Sequence, residues 1–110
     1  MATIETLLNG INASGLIVGS YETASGDHGL IYNPSGGTFT TLNDPAATFG
    51  TSAQGINDSG TVVGFYHNNT GFHGFIYNPS GGTYTTLDDP LGTGNTIAHS
   101  INNAGQIVGV

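Results

Sequence analysis

Apolar residues along this chain occur in short runs, separated by segments rich in Gly, Asn, Ser and Thr. Runs such as Leu30-Ile31-Tyr32 and Phe75-Ile76-Tyr77 do not alternate strictly with polar residues, so both faces of their strands are expected to be covered. Segments 38–42 and 83–87 are instead dominated by Thr, which predicts strands at a solvated edge. The pattern predicts an all-β fold of short strands joined by tight turns.

The sequence repeats itself with a period of 45 residues. When 2–46 is compared with 47–91, 27 of 45 positions are identical without a gap. Residues 92–110 begin a third copy, so the chain is divided into two full repeats and one partial repeat, about 2.4 units. A period of this length is typical of propellers and other arrays, in which each repeat buries its faces against its neighbours.

Each full repeat is predicted to contain four strands, A to D. Their ranges are 6–12, 51–57 and 96–102 for A, 16–21, 61–66 and 106–110 for B, 28–33 and 73–78 for C, and 38–42 and 83–87 for D. Asn-x-x-Gly turns join A to B, and Asn-Pro-Ser-Gly-Gly turns join C to D, because Gly and Asn tolerate the backbone angles of tight turns. Small residues in A, polar residues in D and two covered faces predict four-stranded antiparallel blades of the propeller type.

Composition narrows the classes of function. The chain has no Lys or Arg and seven acidic residues, giving a formal net charge of -7. Nucleic acids and anionic membranes are therefore not expected as partners, because both are bound through basic side chains. The chain has no Cys, which excludes disulfides and thiolate chemistry. It shows neither a signal peptide nor an apolar stretch of the roughly 18 residues that span a bilayer.

The order of motifs resembles a known family. A G-I-N-x-x-G-x-x-V-G hairpin is followed by H-G-[LF]-I-Y, a Gly-Gly turn, a [FY]-T-T-L strand and D-P. This order is similar to the HAF repeat family of bacterial extracellular proteins, with His28-Gly29-Leu30 and His73-Gly74-Phe75 at the position of the naming triplet. The resemblance implies propeller-like repeats at an extracellular or cell-surface location, with no catalytic residues to carry over.

The chain is shorter than a propeller requires, since closed propellers need at least four blades. An isolated copy is therefore expected to expose apolar faces that must be covered. Three arrangements remain open: a multi-chain ring with irregular junctions, a head-to-tail filament, or a piece of a longer repeat protein. In each case, the partner is a second copy or a further repeat.

Catalytic motifs are absent from the sequence, so we expect no enzyme, no cofactor and no metal centre. His28 and His73 occupy the same repeat position and are expected to hold a neighbouring backbone carbonyl. Asp88 and Asp89 are expected to cap the turn before Pro90. A calcium site in this oxygen-rich segment is the alternative.

The sequence also contains candidate residues for glycosylation and for binding a partner or glycan. Three Asn-x-Ser/Thr sequons place candidate glycosylation at Asn68, Asn57 and Asn12. The segments 22–27 and 67–72 are read as the loops in which the repeats differ most, and with the D-to-A connections they are candidate contacts for a partner or glycan. The residues selected there are Asp27, Phe49, His67, Asn69, Phe72, Asp88 and Asp89.

Two functions follow as hypotheses. The first is a non-enzymatic extracellular structural module that self-assembles through the faces of its repeats. The alternative is a lectin-like β-propeller that binds carbohydrate, with Phe49 and Phe72 as stacking platforms.

Overall fold

A computed structural model describes residues 5–89 and 95–110, and this part of the chain contains ten β-strands and no helix. No helix that could cross a membrane is found there. The strands are β1 Glu5–Ile11, β2 Ile17–Thr23, β3 Gly26–Asn33, β4 Thr38–Leu42, β5 Gly50–Ile56, β6 Val62–Asn68, β7 Gly71–Asn78, β8 Thr83–Leu87, β9 Ala98–Ile101 and β10 Ile107–Gly109. Each predicted strand overlaps one of these, and the all-β prediction is confirmed.

The strands form two antiparallel meanders and a hairpin. β1 to β4 pair in sequence order, and β5 to β8 do the same with an equivalent register, in which Gly19 faces Leu30 and Gly64 faces Phe75. A parallel pair between Asp27 and Gly50 connects the meanders into one mixed eight-stranded sheet. β9 and β10 form a separate two-stranded sheet.

The Asn-x-x-Gly turns form as predicted. At Asn12, the side-chain Oδ1 accepts hydrogen bonds from the backbone N–H groups of Ser14 and Leu16, at 3.1 and 3.0 Å. Gly15 has a φ of 87°, a conformation that favours glycine, and its N–H donates to the carbonyl of Asn12. The turns beginning at Asn57 and Asn102 repeat these contacts. Local sequence therefore suffices to specify these turns.

The predicted loops at 22–27 and 67–72 are wrong. The strands continue further than expected, and two-residue turns, Ala24–Ser25 and Asn69–Thr70, connect β2 to β3 and β6 to β7. Gly26 and Gly71 follow these turns with φ of 123° and 124°, which lets the chain reverse within two residues. Asp27, His67 and Phe72 consequently lie in paired strands rather than in loops.

The core lies between the two meanders. Val18 and Leu42 of the first meander are buried in one cluster with Ile56, Val62 and Phe75 of the second. The strand register places Val18 and Leu42 on one side of the first meander. It places Ile56, Val62 and Phe75 on the opposite side of the second meander. We call the side of a repeat that packs against the following repeat its trailing face, and the side that packs against the preceding repeat its leading face.

Two glycines let successive inner strands approach closely. A Cβ on Gly10 of β1 would lie 3.2 Å from the backbone oxygen of Gln54 in β5. A Cβ on Gly55, the next residue of β5, would lie 3.1 Å from the backbone oxygen of His99 in β9. Because these contacts involve backbone atoms, larger residues would force the strands apart, and the glycines determine the spacing between the repeats.

Candidate functional site

The leading face is buried in the second repeat and exposed in the first. Ile56 is 7% exposed, whereas Ile11, its counterpart 45 residues earlier, is 65% exposed. Ala53 is fully buried, whereas its counterpart Leu8 is 62% exposed. The residue at each position is apolar in both repeats, so the difference follows from packing, because the first repeat covers the leading face of the second.

The trailing face is buried in the first two repeats and exposed in the third. Val18 and Val63 are fully buried, whereas Val108, at the same position of the third repeat, is 65% exposed. Val110 beside it is also exposed. Among the described residues, two exposed apolar surfaces can thus be distinguished, one on the leading face of the first repeat and one on the trailing face of the third. We name them the leading surface (Leu8, Ile11 and Phe39) and the trailing surface (Val108 and Val110).

The turns between the first and second strands of successive repeats are hydrogen-bonded to one another. The Nδ2 group of Asn12 donates to the backbone oxygen of Asn57 at 3.0 Å, and the Nδ2 group of Asn57 donates to that of Asn102 at 3.1 Å. We call the three turns, Asn12–Gly15, Asn57–Gly60 and Asn102–Gly105, the turn ladder. It aligns the repeats with a fixed offset of 45 residues.

A second row of hydrogen bonds runs beside the first. The backbone N–H of Ala13 donates to Oδ1 of Asp58 at 2.8 Å, and the N–H of Asp58 donates to Oδ1 of Asn103 at 2.9 Å. Asn103 returns a bond from its Nδ2 to Oδ2 of Asp58, at 2.9 Å. The bond from Ala13 and then the bond from Asn103 lower the pKa of Asp58, because both favour the carboxylate.

The candidate glycosylation residues all use their side-chain nitrogens within the fold. Asn12 and Asn57 donate from Nδ2 along the turn ladder, and Asn57 is buried. Asn68 donates to the backbone oxygen of Ala46 at 3.3 Å, while its Oδ1 accepts from the N–H of Thr70 at 2.9 Å. A glycan on any of these nitrogens would replace a donor hydrogen that bridges two segments.

The two repeated histidines bind side chains, so the expected bond to a backbone carbonyl is wrong. His73 Nδ1 lies 2.9 Å from Oδ1 of Asp88, and its Nε2 lies 2.6 Å from the hydroxyl of Thr70. His28 has an equivalent position, with Nδ1 2.9 Å from Oδ1 of Asn43 and Nε2 3.2 Å from the hydroxyl of Ser25, the counterpart of Thr70. Each histidine therefore ties the turn before it to the connection that follows strand D.

Asp88, His73 and Thr70 stand in the order carboxylate, imidazole, hydroxyl, which is also the order of acyl-transfer triads. The Thr70 hydroxyl, however, donates to Oδ1 of Asn68 at 2.7 Å. In the first repeat, Asn43 replaces the carboxylate. These contacts make the arrangement a clamp on the turn. The sequence signal was the His-to-Asn/Asp spacing of 15 residues in both repeats.

Four rings form a row on one side of the second meander. The rings of His67 and Phe72 are stacked, with centroids 4.2 Å apart and an interplanar angle of 11°. Phe49 lies 5.1 Å from His67 on one side, and Phe65 lies 5.6 Å from Phe72 on the other. Phe49 is 50% exposed. Thus three of the selected binding residues are brought together, and Phe65 is a member that the sequence reasoning missed.

The other selected residues do not join this row. Asp27 is exposed and pairs with Gly50 where the meanders meet, and Asn69 lies in an exposed turn. Asp88 holds His73, and the N–H of Asp89 donates to the hydroxyl of Thr96 at 3.1 Å. Among the described residues, no group of three or more His, Asp or Glu side chains is placed to hold a metal ion. The calcium site stays a prediction.

Asp44, which follows β4 and precedes Pro45, is a buried acid. It is 4% exposed, and its N–H donates to the hydroxyl of Thr51 at 3.1 Å. Oδ1 accepts from the N–H of Ala46, while Oδ2 is buried without a hydrogen-bond partner among the described residues. Burial raises the pKa of Asp44, an effect that the Ala46 bond and the charge of His73 reduce.

Comparison of this chain with known protein families, with curated proteins and with solved structures finds no match.

Proposed function

We propose that this chain is a non-enzymatic, extracellular structural module whose propeller-type blades associate with further copies of the same chain. The main support is the exposure of equivalent residues: Ile11 and Val108 are exposed at the two ends, whereas Ile56 and Val63 are buried inside. Burying such side chains stabilises association by the same hydrophobic effect that holds the repeats together. The extracellular location rests on the resemblance to HAF repeats.

A second copy fits the uncovered surfaces because the chain already contains the required interface. Inside the molecule, the trailing face of the first repeat, with Val18 and Leu42, packs on the leading face of the second. The leading surface presents Ile11 in place of Ile56, and the trailing surface presents Val108 in place of Val18. Contacts of this kind are head-to-tail, so they close into a ring or continue as a filament. Further repeats of a longer chain would cover the same surfaces.

The contact between copies is expected to be weaker than the contact inside the chain. The β9–β10 hairpin has two strands, whereas each meander has four, so it covers only part of a leading face. Phe39, on the fourth strand of the first meander, lies beyond that reach. Each copy carries a net charge of -7, and repulsion between copies opposes association. Association is therefore expected to strengthen as salt screens the charges.

Two charge substitutions test the head-to-tail arrangement. Ile11→Asp disables the leading surface and Val108→Asp disables the trailing surface. In analytical ultracentrifugation over a concentration series, each variant alone should remain monomeric while the wild type associates. An equimolar mixture should form dimers and nothing larger, because only one competent surface of each kind remains.

The controls separate surface burial from general effects. Phe49→Ser removes an apolar side chain of similar exposure that belongs to neither surface, and it should leave association unchanged. Circular dichroism should show the same β-sheet spectrum for all variants. A wild type that stays monomeric at every concentration and salt level would overturn the proposal. Association that persists in both charge variants would overturn the assignment of the two surfaces.

Carbohydrate binding is the second candidate, supported by the aromatic row. Stacked rings with an exposed member, Phe49, offer apolar faces to the C–H groups of a sugar. A glycan array probed with the assembled protein should then give signals that Phe49→Ser abolishes while association persists. An array without signal above background would eliminate this candidate.

A further inference from the structure

The turn ladder is interrupted at its last turn. The amides of Asn12 and Asn57 donate to the following turn, whereas Asn102 belongs to the last of the three ladder turns that the structure describes. Its Nδ2 group donates instead to Oε1 of Gln106, at 2.8 Å. The counterparts of Gln106 are Leu16 and Thr61, and neither occupies the asparagine amide in this way. Gln106 therefore holds the donor that a further turn would receive.

The ladder is also incomplete at its first turn. Asp58 and Asn103 each offer a side-chain oxygen to the N–H group of the preceding turn. Their counterpart in the first repeat is Ala13, whose methyl group cannot accept a hydrogen bond. A turn placed before Ala13 would lose the bond that the internal turns make. Ala13 is exposed, so no packing contact requires an alanine there.

We infer that the turn Asn102–Gly105 of one copy docks on the turn Asn12–Gly15 of a second copy, and that Gln106 and Ala13 weaken this joint relative to the internal joints. The inference rests on the proposed head-to-tail association. In the joint, the Asn102 amide leaves Gln106 and donates to the backbone oxygen of Asn12 in the second copy, as Asn57 does to Asn102. The N–H of Asn103 finds no acceptor at Ala13. The same two residues thus limit growth of the array.

Restoring the ladder residues of the internal repeats tests the inference. The double variant Ala13→Asn with Gln106→Thr copies Asn103 and Thr61, and it should lower the dissociation constant for self-association by about tenfold. The matched control is Ser14→Asn with Gln106→Thr, which adds the same amide one residue away. Because residue 14 is not at the ladder position that accepts from the adjacent turn, the control should associate no better than the Gln106→Thr single variant.

Sedimentation equilibrium gives the readout for the wild type, the Gln106→Thr single variant, both double variants and the test variant combined with Ile11→Asp. The tighter association of the test variant should disappear when Ile11→Asp disables the leading surface. If the wild type associates through its two surfaces but the test variant and its control associate equally, the ladder inference fails while the proposed function stands. If the wild type is monomeric, the proposed function fails. Association of the test variant alone, blocked by Ile11→Asp, would then support only the part of the inference that Gln106 and Ala13 weaken the joint, and a monomeric test variant would overturn that part as well.

Discussion

The side-chain amide of Asn57 donates a hydrogen bond to the backbone carbonyl of Asn102 at 3.1 Å, across the junction between the second meander and the β9–β10 hairpin. The same side chain organises its own turn, because its Oδ1 accepts from the N–H groups of Ser59 and Thr61. One buried side chain therefore joins local turn geometry to the packing of successive repeats.

Asn57→Asp should separate these two roles. The carboxylate keeps an acceptor for the turn, but it loses the donor and places a negative charge beside the Asn102 carbonyl. We expect the free energy of unfolding to fall by about 1–3 kcal/mol, the usual cost of disrupting a buried hydrogen bond. Asn102→Asp is the matched control. Asn102 is exposed, and its amide donates to the side chain of Gln106. The free energy of unfolding should therefore fall less for this variant. Urea unfolding followed by circular dichroism compares them, and equal losses would contradict the role assigned to the junction.

Gly64→Ala should be strongly destabilising. A Cβ at Gly64 would lie 2.0 Å from the backbone oxygen of Ser52 in the neighbouring strand, so β5 and β6 would have to separate. A loss of roughly 2 kcal/mol or more is expected, in the range of other overpacked cores. Gly36→Ala adds the same methyl group in a turn, where the nearest atom is a Thr38 methyl carbon at 3.8 Å. Thermal unfolding should leave Gly36→Ala near the wild type, and a similar result for Gly64→Ala would show that the strands yield without cost.

Replacing valine with alanine at the same repeat position should have different effects on stability in the second and third repeats. Val63→Ala leaves a cavity in a fully buried site and should cost about 2 kcal/mol. Val108→Ala, at the equivalent exposed position, should change the stability of the monomer by less than about 0.5 kcal/mol. Denaturant unfolding at a concentration below the onset of association gives the comparison. A large loss of stability for Val108→Ala under those conditions would mean that the trailing surface is covered within the single chain.

Asp44→Asn should stabilise the protein at neutral pH and remove part of its pH dependence. The pKa of Asp44 is raised above 3.8 in the folded state, so the folded protein retains this proton to higher pH than the unfolded chain does. The free energy of unfolding therefore falls as pH rises from the ordinary carboxyl value through the raised pKa, and the loss persists above it. Asparagine keeps the acceptor for the Ala46 N–H without the buried charge.

Unfolding curves of the wild type and Asp44→Asn measured from pH 3 to pH 8 should diverge as pH rises through this window. Asp89→Asn removes the carboxylate at the equivalent position of the second repeat, which is exposed, and is the matched control. Asp58 has the opposite effect on the pH dependence of stability. Because its pKa is lowered, its contribution to the free energy of unfolding is lost only as pH falls below the ordinary carboxyl value. Parallel profiles for the wild type and Asp44→Asn would refute the predicted effect of burial.

Turns and strand order were predictable because their causes are local. The Asn12–Gly15 turn needs an Asn acceptor and a Gly with positive φ, and both are visible in the sequence. The reversals at Ala24–Ser25 and Asn69–Thr70 were missed, although Gly26 and Gly71 follow them directly. Disagreement between the repeats predicts loops at these positions, whereas the structure shows side chains that vary on well-paired strands.

The candidate site was only partly predictable because its contacts cross between strands and repeats. The row of Phe49, His67 and Phe72 depends on strand pairing and on the connection before β5, so linear spacing does not reveal it. His28 and His73 contact side chains 15 residues away, whereas the sequence predicts a bond to a neighbouring backbone carbonyl. The repeat shows where the histidines recur, but their hydrogen-bond partners depend on the strand register of the folded chain.

The chain alone determined the repeat length, the order of the strands and the apolar character of the faces, since each depends on residue types at fixed spacing. Only the tertiary structure decided which copy of an identical motif is covered. Asp44 and Asp89 share one repeat position, yet the first is buried between two complete meanders and the second is exposed beside a two-stranded hairpin. Burial depends on what packs against a residue, and identical sequences acquire different environments when one has a neighbour and the other does not.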